Sequence, residues 1–230
     1  KKRAKGIFVN TKIKVITNPK VLNCKLDWLD YLTTHKELGV PQGAKILMTI
    51  SNNLDARLSN KMCLAIRCIL KSIPNSYYLI IGRIENEKKI RSLINMGERI
   101  RFLGPTVKAR QLVRSADLYL NEFPIGGGCV IYEAMIAGCP VVTMKGEGFD
   151  DAAFEGSDYL GKDLSIESNS VDEYIDLAVK ILTDPKEHLW WKKEVKKRAE
   201  SRGSIEEYAL RHQDILFQCI DEYACRLSRS

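Results

Sequence analysis

Three consecutive glycines, Gly126, Gly127 and Gly128, separate a strand-like run ending near Asn121 from a helix-like run starting at Cys129. Glycines placed before a helix let a ligand approach the backbone without side-chain interference. They also leave the first helical N–H groups free to meet an anion at the positive end of the helix dipole. A diphosphate suits that geometry. Glu133 lies four residues after Cys129, on the same helix face and one turn further in. A carboxylate there has the acceptors to take both hydroxyls of a ribose. Simpler readings exist for each part. The glycines alone would permit a tight strand-to-helix turn, and Glu133 alone would complement the helix dipole. Neither reading accounts for the whole combination with Ala134-Met135, Ala137-Gly138 and Pro140-Val141-Val142.

The elements around this segment follow a regular pattern from Ala44 onward. Lys45–Ile50 is an apolar run bounded by Gly43 and Ser51-Asn52-Asn53, and reads as a buried strand. Helical periodicity follows over Asn60–Lys71, then a strand over Tyr77–Ile81 and an amphipathic helix over Glu85–Met96. Ile100–Leu103 is a short strand, Arg110–Arg114 one or two helical turns, and Ala116–Leu120 another strand. Cys129–Ala137 reads as helix and Pro140–Thr143 as strand. Alternation of helices with strands that are apolar on both faces predicts a Rossmann-like α/β domain, a parallel sheet with helices on both faces. Ligands of such sheets bind beyond the carboxyl ends of the strands. The C-terminal segment is helical over about Ser170–Leu182, Lys186–Glu200 and Ile205–Leu227. Residues 1–42 read differently: strand-like runs at Gly6–Val9 and Ile13–Ile16, then a helix over Leu26–Leu38. They are assigned as a linker or the tail of a preceding domain, leaving 43–230 as the Rossmann-like domain. The chain starts at Lys1 rather than Met, and so reads as a piece of a longer protein.

Composition narrows the classes. Hydrophobic residues make up 45% and charged residues 28% of the 230, a balance that buries a full core. No apolar run is long enough to span a bilayer, and none reads as a signal peptide. The seven cysteines form no CxxC pair, and the three histidines are scattered, so no metal site is expected. The thiols read as reduced, in a cytoplasmic protein. A net charge of +7 favours anionic partners without choosing among them. Aromatic residues are not interleaved with a basic stripe, so no nucleic-acid partner is expected. Trp190-Trp191-Lys192-Lys193, with Lys196-Lys197-Arg198, suggests a peripheral membrane contact; the alternative is a helix whose tryptophans pack on the domain.

The run Glu133-Ala134-Met135-Ile136-Ala137-Gly138-Cys139-Pro140-Val141-Val142 resembles the EAMAAGxPVV block of the C-terminal, donor-binding domain of GT-B glycosyltransferases. Phe123–Gly128, Thr143–Glu147, Leu38–Pro41, Ser51–Leu54 and Ile69–Ser76 bring the resemblance nearest to the O-GlcNAc-transferase-like and HMW1C-like branch. It implies a UDP-sugar as donor substrate and no separate cofactor. It implies that Glu133 holds the donor ribose. Gly126, Gly127, Gly128, Cys129 and Val130 would meet the diphosphate, and Arg57 would neutralise the leaving diphosphate as the catalytic residue. Thr106 and Lys108, in the loop Phe102–Lys108, would frame the base. Retaining members carry a second glutamate eight positions before Glu133; that position is Ile125 here, with Glu122 further upstream, so an inverting enzyme is expected. The lack of an Asp-x-Asp motif agrees with metal-independent transfer to a protein or glycan acceptor held mainly by an amino-terminal domain, and the isolated half is expected to be inactive. Two alternatives stay open: a non-catalytic partner module of a glycosyltransferase complex, and a GT-B-fold nucleotide-sugar epimerase.

Overall fold

A computed structural model describes residues 33–145, 156–201, 209–210, 212–218 and 220. The chain divides into two compact units, Leu26–Glu200 and a second formed by Lys1–Lys25 with Ser201–Ser230. In the second unit, residues 209–210, 212–218 and 220 are helical. The strands expected at Gly6–Val9 and Ile13–Ile16 lie outside the described residues. Of the helix expected over Leu26–Leu38, the described end is a turn. Leu38 and Val40 donate to the carbonyls of Thr34 and His35, and Gly39 closes the turn at φ 66°.

The larger unit is built on five parallel strands: β1 (Lys45–Ile50), β2 (Ser76–Ile81), β3 (Ile100–Gly104), β4 (Leu118–Leu120) and β5 (Val141–Val142). Their order is β3-β2-β1-β4-β5. The helices are α1 (Leu54–Arg57), α2 (Asn60–Ser72), α3 (Glu87–Ile94), α4 (Ala109–Val113), α5 (Cys129–Ile136), α6 (Gly156–Leu160), α7 (Val171–Thr183) and α8 (Pro185–Ser201). Strand and helix alternate from β1 to β5, as the apolar patterning predicts. Ile46, Leu47 and Met48 of β1 are buried because both faces of this central strand are covered. Ser59 caps α2 by accepting the Met62 N–H at 3.1 Å, and Ser170 caps α7 through the Glu173 N–H at 3.2 Å. The apolar stripe of α2 packs against α7.

Two expected strands are shorter than their sequence suggests. β4 starts at Leu118 because the Asp117 carboxylate turns to bind the Ile46 N–H at 2.8 Å and Lys45 Nζ at 3.1 Å. β5 spans only two residues, although a parallel bridge between Met144 and Ile166 continues the pairing beyond it. Trp191 is buried and donates to Glu187, while Trp190 stands half-exposed against its edge. Packing on the domain, not an open aromatic face, therefore explains half of the tryptophan pair. No helix among the described residues is long and apolar enough to cross a membrane.

Candidate functional site

β1 and β4 are neighbours in the sheet, but the chain leaves them in opposite directions. From β1 it passes through α1 and α2 to β2; from β4 it passes through α5 to β5. A crevice opens beyond their carboxyl ends at such a reversal. Two connections meet there: Ser51–Arg57 after β1, and Asn121–Gly128 after β4.

Asn121 sets the path of the second connection. Its backbone N–H pairs with the Val142 carbonyl, and its own carbonyl accepts the Tyr174 hydroxyl at 2.9 Å. Its side chain donates to Thr143 Oγ1 and accepts the Gly127 N–H, each at 2.9 Å. The side chain leaves no room beside Gly126, where a Cβ would overlap Asn121 Nδ2. Gly126 is thus required by packing. The Gly127 amide, expected to face phosphate, is here held by Asn121. The next backbone donors are at the start of α5. Gly128 is the residue before the helix, and no side chain caps it, so the amides of Cys129 and Val130 have the orphan character of a helix N-terminus. Cys129 is exposed and Val130 half-buried.

Charge collects beside Gly127. A methyl group on its α-carbon would sit 3.1 Å from Arg57 Nη1 and 3.7 Å from Glu122 Oε2. Arg57 is half-buried and makes no hydrogen bond or ion pair among the described residues. Glu122 is fully buried, and neither of its carboxylate oxygens has a hydrogen bond of ordinary geometry. Burial pushes its carboxyl up to about 7, with the Arg57 charge and the Gly127 N–H among the influences holding it down. The expected diphosphate residues Arg57 and Gly127 are therefore brought together, with an acid that the sequence reading set aside.

Glu133 lies further along α5 and is 7% exposed. Arg110 of α4 reaches it, with Nε 2.6 Å from Oε1. Burial raises the Glu133 carboxyl above the usual carboxylate range, and Arg110 opposes the rise. Thr106 and Lys108 lie at the start of α4, where Thr106 Oγ1 accepts the Lys108 N–H at 3.1 Å and Lys108 is exposed. Since α4 packs against α5, this loop adjoins the helix that carries Glu133. Among the described residues, no hydrogen bond or ion pair links Thr106 or Lys108 to Arg57 or the glycines. Sequence reasoning missed Glu122, Asn121 and Arg110. The signal for Glu122 was an acid directly after an apolar strand; nothing in the spacing marked Arg110. A separate cavity of about 350 Å³ is lined by Ser59, Asn60, Phe123, Pro124 and Met144 among others, and by none of the expected site residues. The charged groups Arg57 and Glu122 lie instead at the β1–β4 crevice.

The parallel sheet, with its polar crevice at the strand-order reversal, defines a Rossmann-like domain of the kind that binds nucleotides. Residues 56–184 match the family described as Glycosyl transferases group 1, over half the chain, and the chain belongs to that family. No curated protein sequence matches it. Similar solved structures include a mutant of the Thermobaculum terrenum O-GlcNAc transferase, at 21% identity and TM-score 0.60, covering 70% of this chain and 32% of that one. WaaG, a glycosyltransferase involved in lipopolysaccharide biosynthesis, matches at 18% identity and TM-score 0.61, covering 73% and 46%. Anabaena Alr3699/HepE in complex with UDP and glucose matches at 18% identity and TM-score 0.63, covering 80% and 51%. These likenesses establish the GT-B-type fold. The chain spans between a third and about half of the length of these structures.

Proposed function

We propose that residues 43–230 form the donor-binding half of a metal-independent glycosyltransferase, which passes a sugar from a UDP-linked donor to a protein or glycan acceptor. One observation carries this reading: Arg57, half-buried and without a hydrogen bond or ion pair among the described residues, stands beside Gly127 at the strand-order reversal, next to a helix N-terminus with no side-chain cap. Negative charge grows on the diphosphate as the glycosidic bond breaks. Arg57 and the amides of Cys129 and Val130 are the fixed groups that stabilise it, in the role a metal plays elsewhere. Glu133 receives the ribose hydroxyls, with Thr106 and Lys108 at the base. The Anabaena relative with UDP and glucose supports the choice of donor.

The sequence blocks around Phe123 and Glu133 favour the O-GlcNAc-transferase-like and HMW1C-like branch. Ile125, eight residues before Glu133, favours inversion, which the anomeric configuration of the product would test. The acceptor groove and general base belong to an amino-terminal domain outside this chain, so this half alone turns nothing over. In this reading the protein works in the cytoplasm. Membrane contact would rest on Trp190 and the lysines of α8 alone.

Calorimetric titration of UDP tests the proposal. Glu133→Ala should weaken binding by about 10- to 100-fold, the scale of hydrogen bonds to a charged group. Equal UDP affinity in variant and wild type would sink the assignment of Glu133, and no UDP binding by the wild type at millimolar nucleotide would sink the donor reading.

A further inference from the structure

Glu122 is an anomaly that the proposed transfer does not use. An ionised carboxylate taken fully out of water costs several kcal/mol unless hydrogen bonds or an opposite charge compensate it. Glu122 is fully buried, and among the described residues neither of its oxygens has a hydrogen bond of ordinary geometry. Among the described residues the groups facing it are few. Arg57 comes from α1, and Ser51 from the end of β1. The Gly127 N–H comes from the bend, and the hydroxyls of Tyr78, Tyr119 and Tyr174 come from β2, β4 and α7. The Tyr119 and Tyr174 hydroxyls are spent on the carbonyls of Ile50 and Asn121. The Gly127 N–H is spent on Asn121 Oδ1. Arg57 is the only one of these groups with a positive charge.

Gly127 links this acid to the crevice. A Cβ added to Gly127 would lie 3.1 Å from Arg57 Nη1 and 3.7 Å from Glu122 Oε2, so an anion held by Arg57 at the bend stands within electrostatic range of the carboxylate. Two negative groups sharing one cation in a water-poor site cannot both stay ionised at small cost.

Resting on the donor reading above, we propose that Glu122 is a further residue of the diphosphate site, which takes one proton from solvent as the nucleotide docks against Arg57. The neutral acid then adds no repulsion to the diphosphate. The tendency of burial to favour its neutral form, up to about 7, supports the same sense of coupling. Nucleotide binding is then tighter at acid than at alkaline pH.

Calorimetry in two buffers of different ionisation heat counts the protons exchanged as UDP binds to the chain. The wild type should take up close to one more proton at pH 8 than Glu122→Gln, whose amide mimics the neutral acid. From pH 7 to 8 wild-type affinity should fall by up to about tenfold relative to the variant. Titration of the UDP terminal phosphate is common to both proteins and cancels. Equal proton counts and parallel pH profiles overturn the proposal while leaving the donor site standing. A wild type that binds no UDP at millimolar concentration overturns the donor reading and this proposal with it. If Glu122→Gln does not fold, the wild type with UDP-glucose, whose diphosphate does not titrate in this range, gives the answer alone: proton uptake at pH 8 supports the role of Glu122, and none overturns it.

Discussion

The strand ends of β2 and β4 solve the same geometric problem with opposite outcomes. Each must turn the chain out of the sheet, and each uses a glycine that packs against the connection after β1. At β2, Gly82 adopts φ 128° and packs on the Ser51 carbonyl oxygen, while its N–H pairs with Gly104. Beyond it the Asp55 carboxylate accepts the amides of Glu85 and Asn86 at 2.7 and 2.9 Å, which holds it below the usual carboxylate range. The polar groups there are matched by protein. At β4, Gly127 packs against Arg57 and Glu122, which have no hydrogen bond of ordinary geometry among the described residues, and the following helix has no side-chain cap. The first end is finished as structure. The second is left open among the described residues, as the proposed diphosphate site requires.

Four substitutions break or sharpen that contrast, in decreasing order of expected effect. Gly82→Ala should be the most damaging to the fold. A Cβ there overlaps backbone that cannot swing aside, at a φ that L residues rarely adopt. A loss of about 4 kcal/mol or more is expected in denaturant unfolding. Arg57→Ala should reduce turnover in the proposed transfer by the full-length protein by about 10²–10³, the cost of one lost transition-state donor. Normal turnover would place Arg57 outside the chemistry.

Glu122→Gln should show its effect on stability as a function of pH. The folded carboxyl is raised from an ordinary 4.5 to about 7. The folded state therefore holds the proton more tightly than the unfolded chain. Wild-type stability is lost as pH climbs from about 4.5 through 7, and is retained below that window. Relative to wild type, the variant should gain about 3 kcal/mol between pH 4.5 and 8, read from urea midpoints. A flat difference would mean that Glu122 is solvated or compensated. Asp55→Ala should matter least, below about 1 kcal/mol, since its carboxylate is almost fully exposed and its two hydrogen bonds compete with water.

The sheet was legible because a central parallel strand is apolar on both faces and its turns carry Gly, Pro or Asn. Lys45–Ile50 and Asn60–Ser72 therefore emerged almost to the residue. The one-turn helix Leu54–Arg57 did not, having no side-chain cap and too few residues to show a period. Glu133 was singled out through the family block, Arg57 through its place after the first strand in the same resemblance, and the glycines through their place before a helix. Glu122 and Arg110 were not. Spacing along the chain set Glu122 aside, whereas its burial depends on how β1, α1 and the bend close over it in three dimensions. Arg110 meets Glu133 across 23 positions by the packing of α4 on α5, a pairing that local periodicity does not encode.

Asn121 has a wider consequence. Its four hydrogen bonds fasten β5, Thr143, the glycine bend and α7 to one point, so the loop's course is fixed by neutral groups that carry none of the proposed chemistry. Scaffold and reactive charge are held by different side chains. Exchanging Arg57 or Glu122 should then change turnover or pH response while the loop keeps its course.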